Sequence, residues 1–237
     1  MQTKKLELNE NYFSVCANAL IKASQRMNLR EMQLIQIAIA QICKEDKELF
    51  TYTTTAVELA RFLNIPRQNV YKDYEKIVNN LLKNVISIKY NNVIEQFQWL
   101  SYAKYDRNNH TITIKLHDKL KPFLIGLNKL YTQIDLNTLL QFKSYYALRL
   151  FQLLVSEYGA TKKTRFKMSV DEIREFFGVE NGKYTRVYDL LKKTINTAVT
   201  EINGTDLCQI KDYELIHSVG KGNPLTAVSF NVKWDLL

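Results

Sequence analysis

The chain has 237 residues, 46% hydrophobic and 24% charged, with 33 Lys and Arg against 24 Asp and Glu for a formal net charge of +9. That balance excludes an intrinsically disordered chain and allows one large or two ordinary globular domains. The basic excess makes a polyanion the first partner to consider, although a charge sum says nothing of fold.

Residues 1–11 are polar and predict a frayed or strand-like start. Asn28 caps a predicted helix from Leu29 to Lys44 with Met32, Ile35, Ile39 and Ile42 on one face. Thr51-Tyr52-Thr53 alternates as a short strand. A threonine of Thr53-Thr54-Thr55 caps the next helix, with Glu58 placed for a capping box. That helix ends near Asn64, and Pro66 opens a third helix reaching Asn84. Val85–Tyr90 alternates as a strand, Asn91-Asn92 turns, and Phe97–Tyr102 returns as its partner, with one more strand at Thr111–Ile114.

The second half repeats the order. Phe142–Tyr158 is a long amphipathic helix and Arg165–Met168 a strand. Ser169 with Glu172 forms a second capping box that opens a helix to Phe177. Gly178 stops it, Asn181-Gly182 turns, and a helix runs from Tyr184 to Ile202. Leu207–Ile216 and Ala227–Trp234 are strands joined by the loop 217–224. At an offset of 114 residues Thr55–Ile65 aligns without a gap on Ser169–Val179. The same offset carries Leu34 onto Leu148, Leu81 onto Ile195 and Ile88 onto Ile202. A period this long means two copies of a domain rather than a solenoid. Helix, strand, helix, helix, strand, loop, strand is the order of a winged helix, so the expected class is α+β: two tandem winged-helix domains, residues 1–125 and 126–237, joined within Leu116–Leu136. Net charge is +6 for residues 1–126, 18 basic against 12 acidic, and +3 for residues 127–237, 15 against 12.

In a helix-turn-helix the second helix enters the major groove and presents its N-terminal residues to base edges. In the second half the expected DNA-binding residues are Lys183, Tyr184, Thr185, Arg186, Asp189, Lys192 and Lys193, with Lys221 on the Gly-rich loop. Val187, Leu190, Thr194, Ile195, Ala198 and Ile202 follow the helical period toward the core. Arg186 has the fork for a bidentate guanine contact, whereas Lys192 and Lys193 suit phosphates. The equivalent helix of the first half offers Arg67, Gln68, Asn69, Lys72 and Lys76. A solvated helix start is the plain alternative for any one of them.

No enzyme is expected. A replication nickase of the rolling-circle kind needs paired metal-binding histidines and a nucleophilic tyrosine. The sequence has only His110, His117 and His217, with no His-x-His. Gly220-Lys221-Gly222 is not followed by Ser or Thr, so no P-loop exists. Neither metal nor cofactor is expected. Cys16, Cys43 and Cys208 lack CxxC or His-paired spacing, which argues against a zinc site or a disulfide framework. Met1–Glu7 lacks the apolar run of a signal peptide, and Leu34–Cys43 is too short for a bilayer, so a cytoplasmic protein without membrane association is expected.

Asn18–Ala23 with Met27–Gln33 resembles the opening motif of bacterial plasmid replication initiators of the iteron-binding class. Ser144-Tyr145-Tyr146-Ala147-Leu148-Arg149-Leu150-Phe151-Gln152-Leu153-Leu154 resembles that family's second-domain signature. Tyr184–Ala198, Glu201-Ile202-Asn203 and Thr205-Asp206 follow in order, and Lys221-Gly222 stands where the family has Lys-Lys-Gly. Leu191 departs from a residue usually basic there. The resemblance implies two winged helices, the second making the main sequence-specific contacts to repeated double-stranded origin sites. It implies that the first adds DNA contacts as a monomer and forms a dimer able to repress its own promoter. It also implies host initiator and replicative helicase as partners. A transcription regulator of the same fold, without an initiator role, shares every local feature.

Overall fold

The computed structural model describes residues 3–9, 11–90, 92–219 and 222–234, and divides the chain into two compact units, Met1–Gln141 and Phe142–Leu237. The first unit comprises β1 (Thr3–Lys5), β2 (Phe13–Ala17), α1 (Asn18–Lys22), α2 (Leu29–Ile39), β3 (Thr51–Thr55), α3 (Ala56–Phe62), α4 (Val70–Lys83), β4 (Val85–Tyr90), β5 (Val93–Gln98), β6 (Leu100–Asp106), β7 (Thr111–Leu116), α5 (Lys121–Leu124), β8 (Tyr131–Asp135) and α6 (Leu136–Leu140). The second comprises α7 (Tyr145–Thr161), β9 (Arg165–Ser169), α8 (Val170–Phe176), α9 (Val187–Lys193), α10 (Ile195–Asn203), β10 (Cys208–His217) and β11 (Leu225–Trp234).

Both units are winged helices, and the α+β class holds. In the first, β3 pairs antiparallel with β7 and β7 with β6, with β1 added in parallel at the edge of β3. In the second, β9 pairs with β11 and β11 with β10. The 114-residue offset maps β3 onto β9 and α3 onto α8 residue for residue. It also maps one capping box onto the other: Thr55 with Glu58, Ser169 with Glu172. Each serine or threonine oxygen accepts the N–H three residues on, while the glutamate accepts the cap's own N–H. Both helices end through one left-handed residue, Asn64 (φ 49°) and Gly178 (φ 60°). There Ile65 N–H reaches Ala60 O at 2.8 Å and Val179 N–H reaches Arg174 O at 2.9 Å. Asparagine is among the few side chains that tolerate this region, which is why it can stand for glycine.

The Glu58 box has a pH signature. Burial pushes the Glu58 carboxyl up, but the Thr55 N–H, the Thr54 and Thr55 hydroxyls and the Lys5 ammonium outweigh it and hold its pKa at about 2. A depressed folded-state pKa contributes stability that is complete above the unfolded value and is lost as pH falls through the folded one. Between pH 4.5 and 2, denaturant unfolding of Glu58→Gln should therefore show a shallower loss of stability than the parent. Parallel acid limbs would contradict this account.

α2 forms the core of the first unit. Residues 31–39 are buried all round, packed against β2, α4 and α6. Its polar groups are satisfied inside: Ser14 Oγ donates to Gln36 Oε1 at 2.6 Å, and Asn80 Nδ2 to Glu31 Oε1 at 2.6 Å. The helix stops at Ile39, five residues before the predicted Lys44, because Gln41 N–H turns back to Ala38 O.

Five further expectations are corrected. The partner of β4 is Val93–Gln98, so the apolar run Phe97–Tyr102 is divided at Trp99 between β5 and β6. The predicted helix from Pro66 opens as a 3-10 turn over Arg67–Asn69 and becomes α-helical only at Val70. The predicted helix 184–202 begins at Val187 and breaks at Thr194, whose φ/ψ is −109°/−84°. There the Thr194 hydroxyl donates to Leu190 O at 2.7 Å and the Thr197 hydroxyl to Lys192 O at 3.1 Å, drawing the ladder's carbonyls onto side chains. After this point the repeat ends: Ile88 lies in strand β4 and Ile202 in helix α10. The units meet at Gln141/Phe142 rather than at 125/126, because β8 pairs antiparallel with β2, Phe13 opposite Asp135. Asn91 of the expected turn lies outside the described residues.

Candidate nucleic-acid interface

In the second unit, Leu190 and Leu191 of α9 are buried and Val187 is half-buried. The rest of the helix faces outward: Tyr188 (61% exposed), Asp189, Lys192 and Lys193, with Arg186 as the exposed N-cap residue. Among the described residues, the side chains of Arg186, Lys192 and Lys193 make no hydrogen bond or ion pair. In the first unit Lys72 and Lys76 of α4 likewise make no ion pair among the described residues, whereas cations elsewhere in that unit are paired. Lys4, Arg30, Lys115 and Lys121 each lie within 2.7 Å of a carboxylate, from Asp46, Asp73, Asp118 and Glu48. Cations left without internal partners remain available to an external anion.

The predicted reading residues divide at the helix start. Arg186, Asp189, Lys192 and Lys193 are brought onto α9 or its cap. Lys183, Tyr184 and Thr185 lie before it, in a turn and an extended step, with Lys183 and Thr185 exposed and Tyr184 half-buried. Burial, together with the neighbouring Tyr184 and a hydrogen bond to it, pushes the Tyr146 hydroxyl up to about 12. The wing β10–β11 belongs to the same unit. Its loop is closed by Ser218 N–H to Pro224 O at 3.0 Å, with Val219 fully exposed at the tip. Lys221 lies outside the described residues.

In the first unit Gln68 and Asn69 are exposed on the 3-10 turn, and Lys72 and Lys76 are exposed on α4; nothing is placed for the Arg67 side chain. Acidic Asp73 and Glu75 lie between the two lysines in sequence. An open groove of about 540 Å³ runs between α4 and the wing strand β6, lined among others by Tyr71, Lys72, Lys104, Tyr105 and Arg107. The Tyr71 hydroxyl meets His110 Nδ1 at 2.9 Å, tying the helix to the turn of the β6–β7 wing. Asp106 holds that turn by accepting the N–H groups of Asn108 and Asn109, both at 3.1 Å.

A basic helix face beside a β-wing, twice over, is the frame of a DNA-binding protein. The WH1 model of the family described as Initiator Replication protein matches residues 15–155, and the WH2 model of Initiator Rep protein matches residues 169–232. The chain belongs to this initiator family. A replication initiation protein of Escherichia coli is 26% identical over 196 residues, which cover 81% of this chain and 58% of that protein. The chain thus spans less than two thirds of that relative's length. A Pi initiator protein, solved in complex with iteron DNA, shares the fold at TM-score 0.69 and 19% identity, over 96% of this chain and 99% of that one. The WH1 domain of a replication protein isolated from a multiple sclerosis patient is 20% identical over 40% of this chain and 77% of its own, at TM-score 0.30.

Two features of this initiator-family chain escaped the sequence reading. Tyr188 was not among the expected DNA-binding residues, yet helical periodicity alone puts it 100° from Asp189 on the outer face. Arg174 was read only as a partner in the repeat, and nothing local announces that its guanidinium reaches the turn before α9. Among the described residues no helix is long and apolar enough to cross a membrane, and no group of three His, Cys, Asp or Glu could hold a metal ion.

Proposed function

We propose that this chain is a sequence-specific DNA-binding initiator of plasmid replication that reads repeated origin sites in double-stranded DNA, the iterons. The observation that carries this reading is the partner-free basic face of α9, set on a winged helix of an initiator-family chain. Arg186 reads a base edge, while Lys192 and Lys193, with Lys221 of the wing, hold phosphates. Asp189 accepts from a cytosine amino group, and Tyr188 packs on a thymine methyl or the sugar beside it. Lys183 and Thr185 approach the backbone ahead of the helix.

The first unit adds weaker DNA contacts through Gln68, Asn69, Lys72 and Lys76. It is also the better candidate for self-association. Among the described residues β5 is an edge of its two-stranded sheet and exposes Val93 (47%) and Ile94 (61%), while Val85 (47%) is exposed at the other end of β4, opposite Gln98. Exposed apolar edge strands pair readily with a second copy. As a dimer the chain would repress its own promoter; as a monomer on the repeats it would open the origin with host initiator and replicative helicase in the cytoplasm.

The deciding experiment is a plasmid that carries this gene with its flanking DNA and no other initiator. It should replicate, and a double replacement of Lys192 and Lys193 by alanine should abolish maintenance. A plasmid that fails to replicate while the chain still represses a reporter fused to its own promoter would instead mark a transcription regulator.

A further inference from the structure

We propose that Arg174 is a positioning residue that locks the entry of the reading helix, and that this clamp sets the base discrimination of the second unit. The proposal rests on the DNA-binding reading of that unit. The connection from α8 to α9 contains three left-handed residues, Gly178, Gly182 (φ 83°) and Tyr184 (φ 52°). Glycine adopts this region without strain, but tyrosine does so only when its surroundings over-determine it.

Three contacts do so here. Arg174 Nη1 donates to the carbonyl of Lys183 at 3.0 Å and Nη2 to the carbonyl of Tyr184 at 2.6 Å, so one planar guanidinium spans two consecutive peptides. The Tyr184 hydroxyl is hydrogen-bonded to Tyr146 of α7. The Lys183 ammonium lies 5.3 Å from the Tyr184 ring centroid. Two residues later comes Arg186, the N-cap of α9. Whatever fixes Tyr184 therefore fixes where the Arg186 fork starts, and bidentate base contacts tolerate little displacement.

The first unit lacks this device. Under the 114-residue offset Ala60 stands for Arg174, Met32 for Tyr146 and Val70 for Tyr184, and none can span two carbonyls or hydrogen-bond a phenol. Its reading helix opens directly at Val70 after a 3-10 turn. The clamp is thus no requirement of the winged helix as such. It belongs to the copy with the longer connection between the two helices.

The test uses the full chain, with Arg174→Met, which keeps the stem, and Arg174→Lys, which keeps the charge but not the fork. Affinity is measured across a salt series for the repeat DNA and for random duplex, and amide hydrogen exchange is followed over residues 181–187. Both variants should lose about tenfold or more in the preference for repeat over random DNA, the scale of losing hydrogen bonds to a charged group. Random-duplex affinity and the salt slope should stay at the parent values, and exchange should rise in 181–187 alone. A Lys variant that matches the parent on every measure overturns the clamp. A salt slope lowered by about one, with equal losses on repeat and random DNA, also overturns it, since Arg174 would then be a phosphate contact. If the parent prefers no sequence, the functional reading fails, and exchange alone decides: faster exchange in the variants supports the clamp and unchanged exchange refutes it. Should Arg174→Met not fold, Tyr146→Phe, which removes the phenol on Tyr184, carries the same expectations.

Discussion

Replacing Arg186 with alanine should weaken binding to the repeat by roughly 5–150-fold, the 1–3 kcal/mol of one bidentate base contact, and relax preference at a single base position. Replacing Lys192 and Lys193 as well should lower affinity for every duplex and reduce the slope of log affinity against log salt by about two. The difference follows from position. Arg186 is the N-cap residue of α9, the end that a helix-turn-helix presents to base edges, whereas Lys192 and Lys193 lie in its last turn. Competition assays with repeat and random duplex over a salt series separate the two effects. Loss of the salt slope on replacing Arg186 alone, with base preference unchanged, would exchange the assigned roles.

The largest effect on stability is expected at Phe230. It is 1% exposed at the centre of β11, the strand that joins β9 to β10, and its ring stacks on Phe166 with centroids 5.8 Å apart. Phe230→Ala deletes a fully buried ring from a site held by strand pairing on both sides, so little collapse can fill the space. The expected loss is about 3–5 kcal/mol, a large share of the stability of a typical domain. Urea unfolding of the second unit's transition measures it. Lys167→Ala, exposed on the neighbouring strand, should change stability by no more than about 0.5 kcal/mol. A loss under about 1 kcal/mol at Phe230 would mean that the sheet does not depend on this packing.

What could be read from the chain was what local chemistry writes. The paired boxes Thr55/Glu58 and Ser169/Glu172, and the stops Asn64 and Gly178, are short-range signals, and the helices and strands around them stand where periodicity put them. The β2–β8 pairing joins Phe13 to Asp135 across most of a unit, and no nearby residue announces it. That is why the expected boundary fell before β8. The alternation of Phe97–Tyr102 slips at Trp99-Leu100, and the competing partners β4 and β7 divide the strand there. The break at Thr194 depends on two threonine hydroxyls choosing carbonyls of their own helix, a choice helix propensity does not record.

The outward face of α9 was legible for a different reason. Leu190, Thr194, Ile195, Ala198 and Ile202 are all buried, as their spacing required. A buried stripe defines its opposite, so Asp189, Lys192 and Lys193 could be assigned outward from sequence. The three residues expected at the helix entrance were displaced into the turn, because a left-handed Tyr184 held by a distant arginine is a tertiary arrangement.

The measurement that bears most directly on the whole account is selection of binding sites from random duplex DNA by the full chain at physiological salt. The account predicts enrichment of one motif that recurs as direct repeats beside the gene, with Arg186→Ala degenerate at one position of it. Recovery of random sequence at every salt concentration, by a chain that still binds DNA, would contradict it.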